Sequence, residues 1–227
     1  MRTPLLSCLS ALLLAAGEPP AQPARVGFAW PLSTCVVSGE PLGAKPVVRV
    51  LEDAKDPAVN GREVRFCCEK CVATFEANRA KYLEAADTAI AQREQAVYPT
   101  RTCVIMTDET LAAPGTPEAS EVREVVVGNQ LVRLCCASCE RKVRRNPAGA
   151  IAKVQRAAIE AQVKDYPLKA CPVSGRPLPA EPTDTLLAGR LVRLCCKDCQ
   201  AKAEQDVAAT LAKLSPAPAA KPVETAR

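Results

Sequence analysis

The feature that most constrains this chain is a cysteine pattern written three times. Arg65-Phe66-Cys67-Cys68-Glu69-Lys70-Cys71 recurs as Arg133-Leu134-Cys135-Cys136-Ala137-Ser138-Cys139 and as Arg193-Leu194-Cys195-Cys196-Lys197-Asp198-Cys199. Each copy follows an isolated cysteine, Cys35, Cys103 or Cys171, and these three succeed one another at intervals of 68 residues. An aromatic-Pro pair precedes each isolated cysteine: Trp30-Pro31, Tyr98-Pro99 and Tyr166-Pro167. A fixed period of this length means a tandem array of one supersecondary unit.

Such a unit cannot hold itself together by burial alone. The whole 227-residue chain has one Trp, three Tyr and three Phe. A module of about 50–70 residues with so few large side chains needs a staple, metal or disulfide. The 13 cysteines supply it: Cys8 stands alone and the rest fall into three sets of four. There is no histidine. That excludes imidazole ligands, a histidine base and a Cys-His nucleophilic dyad. The net charge is +5. Its cations alternate with acids along helical stretches, which describes solvated faces and gives no reason to expect a nucleic-acid partner.

Residues 1–17 read as a signal peptide. Arg2 gives the positive start, Leu5 to Ala16 is an apolar run too short to span a bilayer, and Ala15-Ala16-Gly17 offers small residues for cleavage. Cys8 falls in that discarded segment. The mature chain is then extracytoplasmic (periplasmic or secreted), with no transmembrane segment after cleavage. Residues 18–27 read as a linker, 28–97, 98–165 and 166–214 as repeats one to three, and 215–227, rich in Pro, as a disordered tail.

Within a repeat the pattern predicts an α+β module. Cys35-Val36-Val37-Ser38-Gly39 reads as a tight turn with Gly39 free to take positive φ. Val47 to Leu51 and Glu63 to Phe66 read as paired strands, with Asn60-Gly61 as a hairpin signal. A short helix carrying the last cysteine follows, then a break at Asn78 and a longer helix to about Val97. In the second repeat, Glu124 to Val127 and Gln130 to Leu134 are strands around Gly128-Asn129. Arg141 to Arg145 is the short helix, and Asn146-Pro147 caps the long one. The third repeat has Arg190 to Leu194 as a strand and ends its helices near Leu214. It is shorter between its first two cysteines, a deletion placed in the hairpin.

A turn, a strand end and a helix start bring their cysteines together when the hairpin folds back, and a helix N-terminus favours a thiolate. Thiolates bind zinc(II), copper(I) and similar soft ions. The expected ligand sets are Cys35, Cys67, Cys68, Cys71; Cys103, Cys135, Cys136, Cys139; and Cys171, Cys195, Cys196, Cys199.

On these residues the units resemble the TRASH/YHS-like heavy-metal-binding domains of the treble-clef group. The knuckle matches at Cys35-Val36-Val37-Ser38-Gly39 and Cys171-Pro172-Val173-Ser174-Gly175, and the later pair at Cys67 with Cys71, Cys135 with Cys139 and Cys195 with Cys199. The resemblance implies three tandem treble-clef-like modules that bind zinc or copper(I), linked to metal sensing, trafficking or resistance. Departures are Ser38, Ser174 and Met106 at the second knuckle position, the absence of a Tyr-His-Ser signature, and the longer spacing in repeats one and two. Met106 is either a thioether ligand or a gap-filling side chain.

Two other readings compete. Twelve mature cysteines in an oxidising compartment could form disulfides, Cys68 with Cys71 and Cys35 with Cys67, giving a stapled interaction protein. A thiol oxidoreductase is the third, disfavoured because three near-equal copies resemble stoichiometric binding. The leading expectation is a non-catalytic protein whose partners are soft metal ions, with another extracytoplasmic protein as a further candidate. Trp30, Tyr98 and Tyr166 are expected to cap the core of their repeats, and Phe66, Leu134 and Leu194 to be core. Arg65, Arg133 and Arg193 are expected at exposed strand positions, or else beside the thiolates or an anion.

Overall fold

A computed structural model describes residues 24–214. The expected signal peptide, most of the linker and the tail lie outside the described residues. The chain builds the same mixed α/β unit three times. Repeat one contains β1 (Val47–Val50), β2 (Glu63–Phe66), α1 (Glu69–Ala77) and α2 (Arg79–Gln95). Repeat two contains a 3-10 turn (Pro117–Glu121), β3 (Arg123–Val127), β4 (Gln130–Leu134), α3 (Ala137–Arg145) and α4 (Pro147–Gln162). Repeat three contains β5 (Thr183–Leu187), β6 (Arg190–Leu194), α5 (Lys197–Gln205) and α6 (Val207–Ala212).

Each strand pair is an isolated antiparallel hairpin. The registers place Val47 opposite Phe66, Arg123 opposite Leu134, and Thr183 opposite Leu194. The second hairpin turns through Gly128 and Asn129 (φ 52° and 62°) and the third through Ala188 and Gly189 (φ 49° and 73°). Two successive positive φ angles match the twist of the flanking strands, which is why Gly and Asn suit such turns. The first hairpin differs from expectation. Asn60-Gly61 does not form the two-residue turn. Leu51 N still donates to Arg62 O, but Asp53 and Asp56 accept the N–H groups of Lys55, Asp56 and Ala58, and a longer loop results.

The shortening of repeat three is also relocated. Its hairpin is as long as the second, five residues on each strand. The missing residues lie earlier, between Cys171 and β5, where repeat two carries the 3-10 turn Pro117–Glu121. The short helix of repeat two starts at Ala137, ahead of the expected Arg141.

The helix pairs break where a short polar side chain can take a backbone donor. Asn146 accepts from Gly149 N at 3.2 Å and Asp206 accepts from Ala209 N at 2.9 Å, while Asn78 stands at the same place with no side-chain cap bond. The long helices then dock on the next hairpin, α2 on β3 and β4, and α4 on β5 and β6.

The three cores are joined by the segment that opens repeat one. Phe28 is buried in the core of repeat two, Ala29 in that of repeat three and Trp30 in that of repeat one. The stretch read as linker up to residue 27 is packed from Arg25 onward. Val26 N donates to Gly61 O at 2.7 Å, Phe28 N to Gly128 O at 2.9 Å, and Arg25 bridges Glu63 (3.0 Å) and Glu204 (2.6 Å). Repeat three therefore closes back on repeat one.

Candidate metal centres

In each repeat the buried last residue of the second strand, Phe66, Leu134 or Leu194, fixes the direction in which the next residue points. A cysteine follows it directly, the second cysteine is the N-cap of the short helix, and the third lies in the first helical turn. The isolated cysteine arrives on a turn pinned by a bridge between flanking residues, Thr34 with Pro41, Thr102 with Thr110 and Ala170 with Pro177.

The sulfurs converge in three triads: Cys35, Cys67 and Cys71; Cys103, Cys135 and Cys139; Cys171, Cys195 and Cys199, each within 4.8 Å of one another. Cys67 and Cys71 Sγ are 3.6 Å apart, Cys135 and Cys139 3.8 Å, and Cys195 and Cys199 3.6 Å. A tetrahedral ion with sulfur at about 2.3 Å sets its ligands about 3.8 Å apart. A disulfide needs about 2.05 Å. All twelve cysteines among the described residues are free, so neither the Cys68–Cys71 nor the Cys35–Cys67 pairing is made. These triads could hold a metal ion.

The helix-capping cysteines stand at the edge of the triads. Cys68 Sγ lies 3.8 Å from both Cys67 and Cys71, and Cys196 lies 3.8 Å from Cys195. They fall outside the mutually close groups. Of each expected four-sulfur set, three sulfurs converge, and the remaining cysteine is exposed at Cys68 and part-buried at Cys136 and Cys196.

Protonation within a cluster is uneven. Burial opposes ionisation of Cys35, but the Ser38 hydroxyl and backbone N–H groups of Ser38, Cys67 and Val37 outweigh it and bring the thiol down to about 6. Cys171 is likewise brought to about 6 by Ser174 and backbone donors, against burial. Cys103 is lowered too, chiefly by the Cys135 N–H against burial. Cys68, Cys136 and Cys196 are lowered by backbone N–H groups of the first helical turn. Burial and the neighbouring sulfurs push Cys71 and Cys199 up to about 12 and Cys139 to about 11, and raise Cys135 as well.

The surroundings of the three clusters differ. Ser38 Oγ is 3.6 Å from Cys67 Sγ, and Ser174 Oγ is 3.3 Å from Cys195 Sγ. Repeat two has Met106 instead, which is exposed and so fills no gap. Its turn is also longer, Cys103 N bonding Glu109 O where Cys35 N bonds Glu40 O.

The strand arginines do not take the exposed positions expected of them, and their bonds go neither to the thiolates nor to an open anion site. Arg65 and Arg133 are buried. Arg65 pairs with Glu63 at 2.9 Å and donates to the α5 carbonyls of Gln205 (2.8 Å) and Glu204. Arg133 pairs with Glu124 at 2.9 Å and donates to Ala112 O at 2.8 Å. Arg193, half-buried, pairs with Asp184 at 3.0 Å. They brace hairpins and, at Arg65, join repeat one to repeat three. The aromatic residues do cap their repeats: Tyr98 OH accepts from Arg133 N at 2.9 Å, Tyr166 OH from Arg193 N at 3.0 Å, and the Trp30 indole donates to Thr34 O at 3.1 Å. Arg176 is the site neighbour that sequence reasoning missed. Its signal was a basic residue following the knuckle glycine only in repeat three.

No protein-family model matches the chain, and no curated protein or solved structure matches it either. No helix among the described residues is long and apolar enough to cross a membrane.

Proposed function

We propose that this is a non-catalytic metal-binding protein in which each cysteine cluster takes one soft ion, zinc(II) or copper(I). The carrying observation is the repetition of three sulfur triads with contacts near the edge length of a tetrahedral thiolate site. Cys68, Cys136 and Cys196 close the fourth position on the solvent side as the ion draws them in. A site capped from solvent by one exposed thiolate suits storage or transfer as well as a structural role.

On this reading the units are treble-clef-like and related to the TRASH/YHS-like domains, with the hairpin, the knuckle turn and the cysteine-bearing helix as support. Export to an extracytoplasmic compartment is part of the proposal. It is supported by Arg2, the apolar run to Ala16 and the small residues before Glu18.

The test is native mass spectrometry of the protein from its exported fraction, with a thiol-alkylation count on the same sample. Three ions per chain, one per triad, with all thiols alkylatable after denaturation and chelation, is the expected result. The mass of the ion then distinguishes zinc from copper. Absence of metal with a mass deficit matching paired cysteines would leave a disulfide-stapled scaffold, and the proposal would fall.

A further inference from the structure

The three clusters differ at one turn position. The carbonyl that receives the N–H of the isolated cysteine belongs to Glu40 in repeat one (2.8 Å), Glu109 in repeat two (3.0 Å) and Arg176 in repeat three (2.8 Å). The fold thus sets Glu, Glu and Arg at one equivalent place. In repeat three the guanidinium lies over the sulfurs, with Nη2 3.4 Å from Cys195 Sγ and 3.8 Å from Cys196 Sγ. The Ser174 hydroxyl contacts Cys195 as well. The first cluster has only the Ser38 hydroxyl on Cys67, and the second has neither serine nor arginine at these places.

A filled cluster is an anion. Three thiolates around a divalent ion leave net negative charge, a fourth adds to it, and a monovalent ion leaves more. A guanidinium in contact stabilises that anion by Coulomb attraction and charge-assisted hydrogen bonds, and its planar fork can serve two sulfurs at once.

We propose that Arg176 makes the third cluster the retaining site, and that the first and second clusters are the ones that exchange metal. This rests on the metal-binding reading of the clusters given above. The array then divides its work: one ion is held to keep the third repeat folded, and two are available for delivery or buffering. Arg176 is a positioning and charge-balancing residue and not a ligand.

The experiment uses the full mature chain loaded with zinc alone. Graded amounts of a chelator are added, freed thiols are alkylated, and peptides locate the labels. Cys35, Cys67 and Cys71, and the Cys103 set, are expected to label first, with Cys171, Cys195 and Cys199 following at about tenfold more chelator, the ratio that corresponds to about 1.4 kcal/mol. R176E should bring the third set back to the others, and E40R should delay the first. E40R changes an exposed position, so it carries the test if R176E fails to fold. Simultaneous release, earliest release from the third cluster, or an order unmoved by both variants would overturn the proposal. Failure of the underlying reading shows separately, as no zinc in the native mass spectrum before any chelator is added.

Discussion

The backbone N–H of Leu131 donates to a carboxylate oxygen of Glu94 at 2.8 Å, tying the end of α2 to the hairpin of the next repeat. Gln130 Nε2 donates to the same oxygen at 2.6 Å. One period later the arrangement recurs with a neutral side chain: Leu191 N donates to Gln162 Oε1 at 2.8 Å, and Gln162 Nε2 donates to Gly189 O at 2.9 Å. The junction therefore works with an amide, whereas the carboxyl must be buried to make it. Burial pushes Glu94 up from 4.5 to about 7, against the pull of the Leu131 N–H and Arg93.

The sign follows directly. Folded Glu94 holds its proton to higher pH than the unfolded chain does, so between about 4.5 and 7 the folded state binds more protons and stability falls as pH rises. E94Q removes this cost. Its melting temperature should exceed that of the wild type at pH 8 by the equivalent of up to about 3 kcal/mol, with the gap closing toward pH 5. Parallel melting curves across that range would refute the assignment.

Arg65 is the more demanding of the strand arginines. R65A strips the buried Glu63 of one partner and frees two α5 carbonyls, and should cost about 3 kcal/mol in denaturant titration. R193A, at a pair whose side chains are 23% and 19% exposed, should cost less, about 1 kcal/mol. Equal losses would show that the bond to α5 adds nothing.

Two glycines with positive φ separate strain from collision. A Cβ on Gly27 would lie 2.2 Å from Gly128 O, while one on Gly39 meets nothing within 4 Å. G39A should cost about 1 kcal/mol, the ordinary penalty for a side chain in the left-handed region. G27A must push two backbones apart and should cost more than about 4 kcal/mol or prevent folding. Comparable thermal stability of the two variants would contradict the close approach.

Cysteine replacements test the fourth ligand. C71S removes an inner sulfur and should abolish binding at the first cluster. C68S should leave a weaker site, with one sulfur fewer in the cobalt(II) charge-transfer spectrum. An unchanged spectrum and affinity in C68S would assign Cys68 a role outside the coordination shell.

Much of the site was legible because its residues are chemically unusual and periodic. Twelve repeated cysteines without one histidine define candidate ligands before any fold is known. The hairpin of repeat two followed from paired strands around Gly128-Asn129, whereas in repeat three only the second strand was legible, because its turn uses Ala188 at positive φ. The first hairpin did not, because its loop is shaped by Asp53 and Asp56 accepting local N–H groups, which outcompete the Asn-Gly signal. Arg65 and Arg133 misled for a different reason. A strand pattern says which face a side chain takes, but not that the far end of the chain, or a returning loop at Ala112, will cover that face. The split between triad and outer cysteine was also hidden, since adjacent residues look equivalent until the helix cap sends one sulfur inward and leaves the other toward solvent.

Phe28, Ala29 and Trp30 each enter a different core, and Arg25 reaches Glu204 across almost the whole chain. The first described segment to leave the ribosome is therefore among the last to find its place. Each hairpin can close on local contacts as it emerges, but the segment from Arg25 to Trp30 must wait for α5 to be made. Non-local contacts of this kind slow folding. A chain that is exported before that moment would finish its assembly on the far side of the membrane.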